Sequence, residues 1–478
     1  MVTCPPLRSR TYHVRLAIVA ALGSVLAAGC AGPEQPAATC RTAPGASRPN
    51  LLVVTICSLR FDHTSVAGYE RSTTPWLATL ARDGVVFEQM VAASSWTKPA
   101  TASILTGTTP LVHGLFDFYR REDVIAGRVP PKRALPADFL TLPECLAEAG
   151  YDTFGRINNI HAGDVFGLTQ GLADVEVEHG MPAAAMLDDL QTWLMARSDT
   201  RPFFGWLFTR DVHTPYAPEA DAYARFARHP VEADFAAQRA TITQVVREHT
   251  AAGERVPVAR QEQWIDLYDA ALVELDATLQ RIPALLSATG HGQDTIVLVT
   301  ADHGERFFER GQIGHGGRLD EAVLRVPLII RGPGIARGRR SQRVVRSIDL
   351  YPTILDVAGV ETDLPLQGVS LAAVARGQAA DPPSRSAYAT QGEGHVLRHG
   401  PYKLHARAKR TTLHHLPTDP DERTDLSTAQ GERTLALQRE LASWVEGSRR
   451  LAERHGQAVE RPLPPDVVDQ LRALGYLD

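Results

Sequence analysis

Four short, almost wholly apolar runs limit what this chain can fold into more than any other feature. They are Asn50-Leu51-Leu52-Val53-Val54-Thr55-Ile56, Phe203-Phe204-Gly205-Trp206-Leu207-Phe208, Thr295-Ile296-Val297-Leu298-Val299-Thr300 and Val326-Pro327-Leu328-Ile329-Ile330. None alternates apolar with polar residues, so neither face of any run is set up to meet water. Such runs suit strands buried on both faces of a parallel sheet. Helical patterns lie between them, and the clearest places Trp264, Leu267, Ala271, Leu275 and Leu279 three and four residues apart. Strands alternating with helices predict an α/β fold: a doubly wound, mostly parallel sheet with helices on both faces. The 478 residues fit one large α/β domain with a smaller appendage.

The C-terminal part has a different pattern. Ala387-Tyr388-Ala389-Thr390, His395-Val396-Leu397-Arg398 and Tyr402-Lys403-Leu404-His405 are short strands separated by Gly and Pro. They predict a small antiparallel sheet, with a helix from about Glu432 to His455 beside it. The expected division is a signal segment over 1–29, a tether over 30–48, a catalytic domain over 49–375 and a C-terminal subdomain over 376–478. Val231–Arg260 is polar and weakly periodic, and reads as an insertion near the cleft, a candidate lid that would carry substrate selectivity.

At the N-terminus, Arg8, Arg10 and Arg15 precede an apolar run from Leu16 to Gly29. The run is shorter than the ~20 residues a membrane span needs. A basic start, a short apolar stretch and small closing residues describe a secretory signal. The run ends Leu26-Ala27-Ala28-Gly29-Cys30, which resembles the lipobox of bacterial lipoproteins. That resemblance implies lipidation at Cys30 and an exported protein held at a membrane surface of the bacterial envelope. The alternative is plain cleavage, with Cys30 incidental. Residues 31–48, rich in Ala, Pro and Gly, read as a flexible tether. Of five cysteines, Cys4 leaves with the signal, and Cys40, Cys57 and Cys145 remain besides Cys30. Outside the cytoplasm a Cys40–Cys145 disulfide is permitted, although sequence does not fix it. The net charge of −5, with acids and bases interspersed, gives no basic excess for a nucleic-acid partner.

Polar clusters follow three of the apolar runs: Cys57-Ser58-Leu59-Arg60, Asp211-Val212-His213-Thr214-Pro215-Tyr216 and Ala301-Asp302-His303-Gly304-Glu305. In doubly wound sheets, ligands bind beyond the carboxyl ends of the strands. One Asp-His after a strand is ordinarily a solvated turn; three clusters on one edge make a site. Between the first two runs, Ser95 to Gly107 reads as a helix, with Thr97 near the N-cap, Pro99 in the first turn and Gly107 at the exit. A hydroxyl there lies in a field that favours anions. Simple capping by Thr97 is the alternative reading.

At these residues the chain resembles the sulfatase family of the alkaline phosphatase superfamily. Thr97-Lys98-Pro99-Ala100-Thr101-Ala102-Ser103-Ile104-Leu105-Thr106-Gly107 is similar to the signature in which a nucleophile precedes x-Pro-Ser-Arg and an apolar stretch ending Thr-Gly. Arg48-Pro49-Asn50, Leu59-Arg60-Phe61-Asp62-His63, Thr74-Pro75-Trp76-Leu77, Gly314-His315-Gly316, Asp349-Leu350-Tyr351-Pro352 and Leu474-Gly475-Tyr476-Leu477 resemble further landmarks. The resemblance runs from about residue 48 to the C-terminus. It implies Thr97 as nucleophile, Asp302 and His303 as metal ligands, and His213 and His315 against the transferred group or the leaving oxygen. Cys57 occupies the position of a metal-binding aspartate. Lys98 either adds positive charge toward the substrate or is a solvated lysine on the first helical turn. A divalent cation would neutralise the ester and lower the pKa of the attacking hydroxyl, and histidines would carry protons.

Three departures bear on the chemistry. Thr97 stands where most sulfatases have a Cys or Ser oxidised to formylglycine, Thr101 replaces the signature arginine, and Cys57 replaces an aspartate. Cysteine is a good zinc ligand and a poor calcium ligand, so one divalent metal is expected, zinc or another transition metal ahead of calcium. Asp62 belongs to the opening motif and is expected to be structural. The expected function is metal-dependent hydrolysis of sulfuric, phosphoric or phosphonic esters of a small molecule or glycan. Two alternatives stand: phospho-group transfer to an acceptor, and a non-catalytic lipoprotein binding an anionic glycan in a degenerate site.

Overall fold

The computed structural model describes residues 39–117, 129–197, 200–381 and 385–473. The signal segment 1–29, Cys30, most of the tether and Leu474-Gly475-Tyr476-Leu477 lie outside them. Among the described residues no helix is long and apolar enough to cross a membrane.

Numbered along the chain, the strands are β1 Cys40–Thr42, β2 Asn50–Ile56, β3 Val85–Val91, β4 Lys132–Ala134, β5 Asp152–Ile157, β6 Asp174–Val177, β7 Phe203–Thr209, β8 Thr295–Thr300, β9 Arg306–Phe307, β10 Ile313–Gly314, β11 Arg325–Arg331, β12 Arg339–Arg346, β13 Val360–Thr362, β14 Ala387–Gln391, β15 Gly394–His399, β16 Tyr402–Arg407, β17 Arg410–His415 and β18 Val459–Arg461. The helices used below are α1 Pro75–Arg82, α2 Thr97–Thr106, α3 Leu142–Glu148, α4 Ala183–Ala196, α5 Phe235–Ala252, α6 Val258–Leu279, α7 Leu350–Ala358 and α8 Gly431–Ala452.

Eight strands form the central sheet in the order β12-β3-β11-β8-β2-β7-β5-β6. Every residue of β2 is buried, as the unbroken apolar run requires, and each large apolar side chain so removed from water contributes about 1.5–3 kcal/mol. β2 pairs in parallel with both β7 and β8, so its carboxyl end, where Cys57 begins, lies in the middle of the ligand-facing edge. β5 and β6 extend the parallel set, and β12 is parallel to β3.

The Val326–Ile330 run is a strand, but it breaks the parallel pattern: β11 is antiparallel to both β3 and β8. Burial on two faces gives the same continuous apolar run in either direction, so the pattern carries no sense of direction. Pro327 has no N–H to give a ladder, and the register of β11 against β3 shifts between Val326 and Leu328, on either side of it.

The candidate lid is an ordered helix. α5 buries Phe235, Gln238, Ile242 and Val246 along one face, starts at Asp234, whose side chain accepts from Ala237 N, and ends at the left-handed Gly253. Its outer face is polar, which is why the segment reads as weakly periodic. α5 and the Pro215–Ala217 segment line one cavity of about 470 Å³.

The C-terminal strands form a four-stranded antiparallel sheet, β14-β15-β16-β17. β17 adds a strand beyond the three expected; of its polar sequence only Leu413 and His414 are buried. Leu437 and Leu441 of α8 pack on Leu397, Leu404 and Leu413. The sheet reaches the segment leading into α2: Thr390 N donates to Ala93 O at 3.0 Å, and Ser94 Oγ to Thr390 O at 2.8 Å. Cys40 and Cys145 form a disulfide across 105 residues of chain, and β1, which starts at Cys40, pairs antiparallel with β13.

Candidate active site

Cys57 is the first residue after β2. Its successor, Ser58, takes a left-handed backbone conformation with φ 64°, which costs free energy in any residue but glycine. Two hydrogen bonds hold it there: Tyr268 Oη donates to Ser58 O at 3.0 Å, and Ser58 N donates to Asp302 Oδ1 at 3.3 Å. The bend leaves Cys57 Sγ 3.6 Å from Thr97 Oγ1 and 3.9 Å from His303 Nε2.

Asp302 and His303 follow β8 and are fully buried. Asp302 Oδ1 also accepts from His303 N at 2.8 Å, whereas Oδ2 is buried without any hydrogen-bond partner. That oxygen lies 3.3 Å from His303 Nε2. His303 Nδ1 donates to Gly304 O at 2.8 Å, so in the neutral ring Nε2 presents a lone pair. Burial pushes the His303 pKa down, against the pull of Asp302. Burial, then the Asp302 charge, pushes the Cys57 thiol up. The ligand atoms of Cys57, Asp302 and His303 all lie within 4.8 Å of one another. A carboxylate oxygen, an imidazole lone pair and a sulfur converge with no proton donor between oxygen and nitrogen. That donor set fits a divalent cation.

Thr97 is the first residue of α2, after the N-cap Trp96, and its side chain caps no backbone N–H. Simple capping is thereby removed as its role. Its Oγ1 instead accepts from Asn159 Nδ2 at 3.3 Å and lies 3.3 Å from His303 Nε2. One turn on, on the same helix face, Thr101 Oγ1 is buried without a partner.

Two histidines complete the cluster. His213 Nδ1 donates to Thr214 O at 2.5 Å, and its Nε2 is buried without a partner. Burial, followed by the charges of His315 and Arg210, holds its pKa well below the ordinary value. His315 packs against both other rings, with centroids 4.8 Å from His213 and 4.3 Å from His303. Its Nδ1 donates to the fully buried Glu305 carboxylate, 3.3 Å from each oxygen. Gly316 N, next in the chain, donates to Ser95 O at 2.7 Å and ties this loop to the start of α2.

Lys98 is placed apart from these atoms. Successive helix positions diverge by about 100°, and Lys98 Nζ points to Asp117 Oδ1, 2.5 Å away, and Arg133 O, 3.3 Å away. It is 1% exposed, so it is not a solvated lysine. Burial, partly offset by Asp117, brings its pKa down to about 8. Asp62 makes a two-pronged pair with Arg60, at 2.9 and 2.7 Å.

Two residues of the cluster had no role from the sequence. Asn159 follows β5 and also donates to Cys57 Sγ at 3.6 Å; the paired amides Asn158-Asn159 were its signal. Glu305 stands in the Asp302 cluster, where its link to His315 depends on a loop closing over ten residues.

Comparison with known proteins adds the family. The model described as "Sulfatase" matches residues 49–360, and one described as "N-sulphoglucosamine sulphohydrolase, C-terminal" matches residues 318–446. Rat Arylsulfatase K is 31% identical over 194 residues, 37% of this chain and 34% of that protein. The chicken Arylsulfatase K is 26% identical over 390 residues, 72% of this chain and 68% of that one. The chain thus covers about a third of the length of the rat relative. Among solved structures, one described as a complex with its substrate D-glucosamine-2-N,6-O-disulfate is similar with TM-score 0.69 at 20% identity, over 85% of this chain and 99% of that one. The phosphonate monoester hydrolase of Agrobacterium radiobacter has TM-score 0.67 at 20% identity, over 87% and 100%. The family match begins one residue before β2 and ends in β13, spanning every side chain gathered above, and on that ground this chain belongs to the sulfatase family.

Proposed function

We propose that this chain is a divalent-metal-dependent hydrolase of anionic esters, with Thr97 as nucleophile and with phosphoric or phosphonic esters turned over better than sulfuric ones. The observation that carries the reading is the buried Asp302 Oδ2, facing the His303 Nε2 lone pair at 3.3 Å without a hydrogen-bond donor. Cys57, Asp302 and His303 would hold the ion, and the sulfur favours zinc or another transition metal over calcium. When bound, the ion supplies positive charge against the ester and lowers the pKa of a neighbouring hydroxyl.

The remaining roles fall to the chain itself. Asn159 Nδ2–H occupies one lone pair of Thr97 Oγ1 and turns the hydroxyl proton away from the end of β5. Oγ1 gives up its proton to solvent and attacks phosphorus as the bond to the leaving oxygen breaks. His315, anchored through Nδ1 on Glu305, gives its Nε2 proton to that oxygen. His213, with Nε2 open, takes a proton from the water that then attacks phosphorus and frees Thr97, whose Oγ1 regains its proton from solvent. A threonine has one hydroxyl, unlike the geminal diol of formylglycine, whose second hydroxyl expels sulfate by collapse to the aldehyde. A sulfated Thr97 has no such exit, whereas a phosphorylated one is open to assisted attack by water. The Agrobacterium neighbour, described as a phosphonate monoester hydrolase, supports the reading.

A glycan ester is the proposed substrate. Neighbours described as bound to a disulfated glucosamine and as a 2-O GAG sulfatase support it. The proposed location is the bacterial envelope, by a lipid on Cys30. The test is a paired assay of aryl sulfate, aryl phosphate, phosphodiester and phosphonate, with mass spectrometry of the Thr97 peptide. Multiple turnovers of aryl sulfate with no preference for phosphorus esters would defeat the preference and the covalent role together.

A further inference from the structure

Beyond His315 the same loop borders a second cleft of about 250 Å³, lined by Arg310, Gly317 and Arg318 on one side and by His395, Arg407 and Arg410 of the small sheet on the other. Its charge is unbalanced. Asp320 is shared by three guanidinium groups: Arg318 at 3.0 Å, Arg306 at 3.6 Å and Arg310 at 3.9 Å. Arg306 is 5% exposed, and its Nε and Nη1 are buried without hydrogen-bond partners. Arg310 holds a left-handed conformation, φ 53° and ψ 29°, which a non-glycine residue adopts at a cost.

The hairpin opposite is built against its own electrostatics. Arg407 and Arg410 are direct cross-strand partners at the end of β16 and the start of β17, joined through Ala408 and Lys409. Like charges directly opposite one another destabilise a strand pair. Neither guanidinium has an ion pair or a hydrogen-bond partner among the described residues, and no carboxylate lines the cleft. Glu422, in the loop after β17, is taken by Lys403 and His405 at 2.8 and 2.5 Å, and the exposed Glu393, in the turn before Gly394, does not line the cleft. An anion in the cleft would relieve both the cross-strand repulsion and the excess around Asp320.

We propose that this cleft is a second anion-binding subsite, taking a sulfate or carboxylate group carried by the same substrate, apart from the ester that is cleaved. Arg318 follows His315 by three residues, so their Cα atoms are at most about 10 Å apart, within reach of one oligosaccharide. The proposal rests on the reading that the substrate is a glycan ester.

The experiment measures binding of a sulfated uronic-acid tetrasaccharide, its desulfated counterpart and a neutral tetrasaccharide to the full chain by calorimetry. Binding of the sulfated probe should weaken at least ten-fold in R407Q/R410Q, and part of the loss should appear in each single variant. R407K/R410K should stay within about three-fold of the unaltered protein, and R82Q/R337Q, which removes two exposed arginines outside the cleft, within two-fold. Loss of desulfated-probe binding in parallel assigns the group as carboxylate, and loss of the sulfated probe alone assigns it as sulfate. Equal binding by R407Q/R410Q and the unaltered protein, equal weakening by R82Q/R337Q, or no binding of either anionic probe overturns the subsite. Aryl-ester turnover by the unaltered protein is read separately. Its absence, with the arginine-dependent binding intact, removes the hydrolase reading and leaves the subsite standing.

Discussion

Asp302 Oδ2 and His303 Nε2, from adjacent residues, face each other across 3.3 Å, and Oδ2 has no hydrogen-bond partner. Left alone, two lone pairs at that separation in a buried site repel. A cation joining them would remove that repulsion. Replacing Asp302 with Ala should therefore remove both the ion and the chemistry. Elemental analysis of gently purified protein should find one divalent ion per chain, lost in D302A. The kcat/KM for the best aryl ester should fall by at least about a thousand-fold. Full activity in D302A would exclude its role.

On the proposed reading, Cys57 sets the choice of ion. After chelation, the unaltered protein should regain activity with zinc or another transition metal and not with calcium. Cys57→Asp should shift that preference toward calcium or magnesium, since an all-oxygen and imidazole set is harder. A stoichiometric calcium ion in the unaltered protein, distant from Cys57, would contradict the assignment.

Thr97 and Asn159 separate attack from alignment. Thr97→Ser keeps the hydroxyl and should stay within about ten-fold, while Thr97→Ala should lose at least about a thousand-fold. Asn159→Ala removes a single hydrogen bond to the nucleophile and should lower kcat by about 10- to 100-fold with little change in KM. An equal drop in kcat for Thr97→Ser and Thr97→Ala would rule out direct attack by the hydroxyl.

Glu422 gives a stability prediction with a definite pH direction. Burial works to raise its pKa, but Lys403 at 2.8 Å and His405 at 2.5 Å outweigh it and hold the carboxyl well below the ordinary value. A folded-state pKa depressed in this way contributes stability above the unfolded value of about 4.3, and that contribution is lost as pH falls below it. Glu422→Gln leaves the buried Lys403 with only Glu321, 3.3 Å away, as its counter-charge and should cost about 1–3 kcal/mol at pH 7. The difference from the unaltered protein should narrow at pH 3. Urea unfolding at both values reads it, and a difference independent of pH would refute the coupling.

Cys30→Ala should abolish lipid labelling and release the protein from membranes in detergent-free fractions. Unchanged membrane partition would end the lipoprotein reading.

Legibility in the sequence followed how uniform each segment is. β2, β7 and β8 are buried along their whole length, so their runs stood out, and the polar residues just past them marked the site edge. β5 lies next to the edge strand β6 and carries Asp152, paired with Arg197 and Arg201, and Arg156, paired with Asp174 and Asp189; those polar positions hid the strand and with it Asn159. The direction of β11 left no trace because burial does not encode it. Lys98 was legible as a cation but not as a partner of Asp117, since a one-residue step along a helix turns the side chain to another face.

The Cys40–Cys145 bridge and the β1–β13 pairing also define a load path. Tension applied upstream of residue 40 passes through sulfur into α3 and through three register pairs into β13. Both links leave the chain before residue 43 and so shield the stretch from 43 to 49, and with it β2 and the Cys57 that follows, from that tension. A molecule pulled from its N-terminal side would keep its reactive edge shielded, and reducing the bridge would leave the three β1–β13 register pairs to stand between that pull and the central strand.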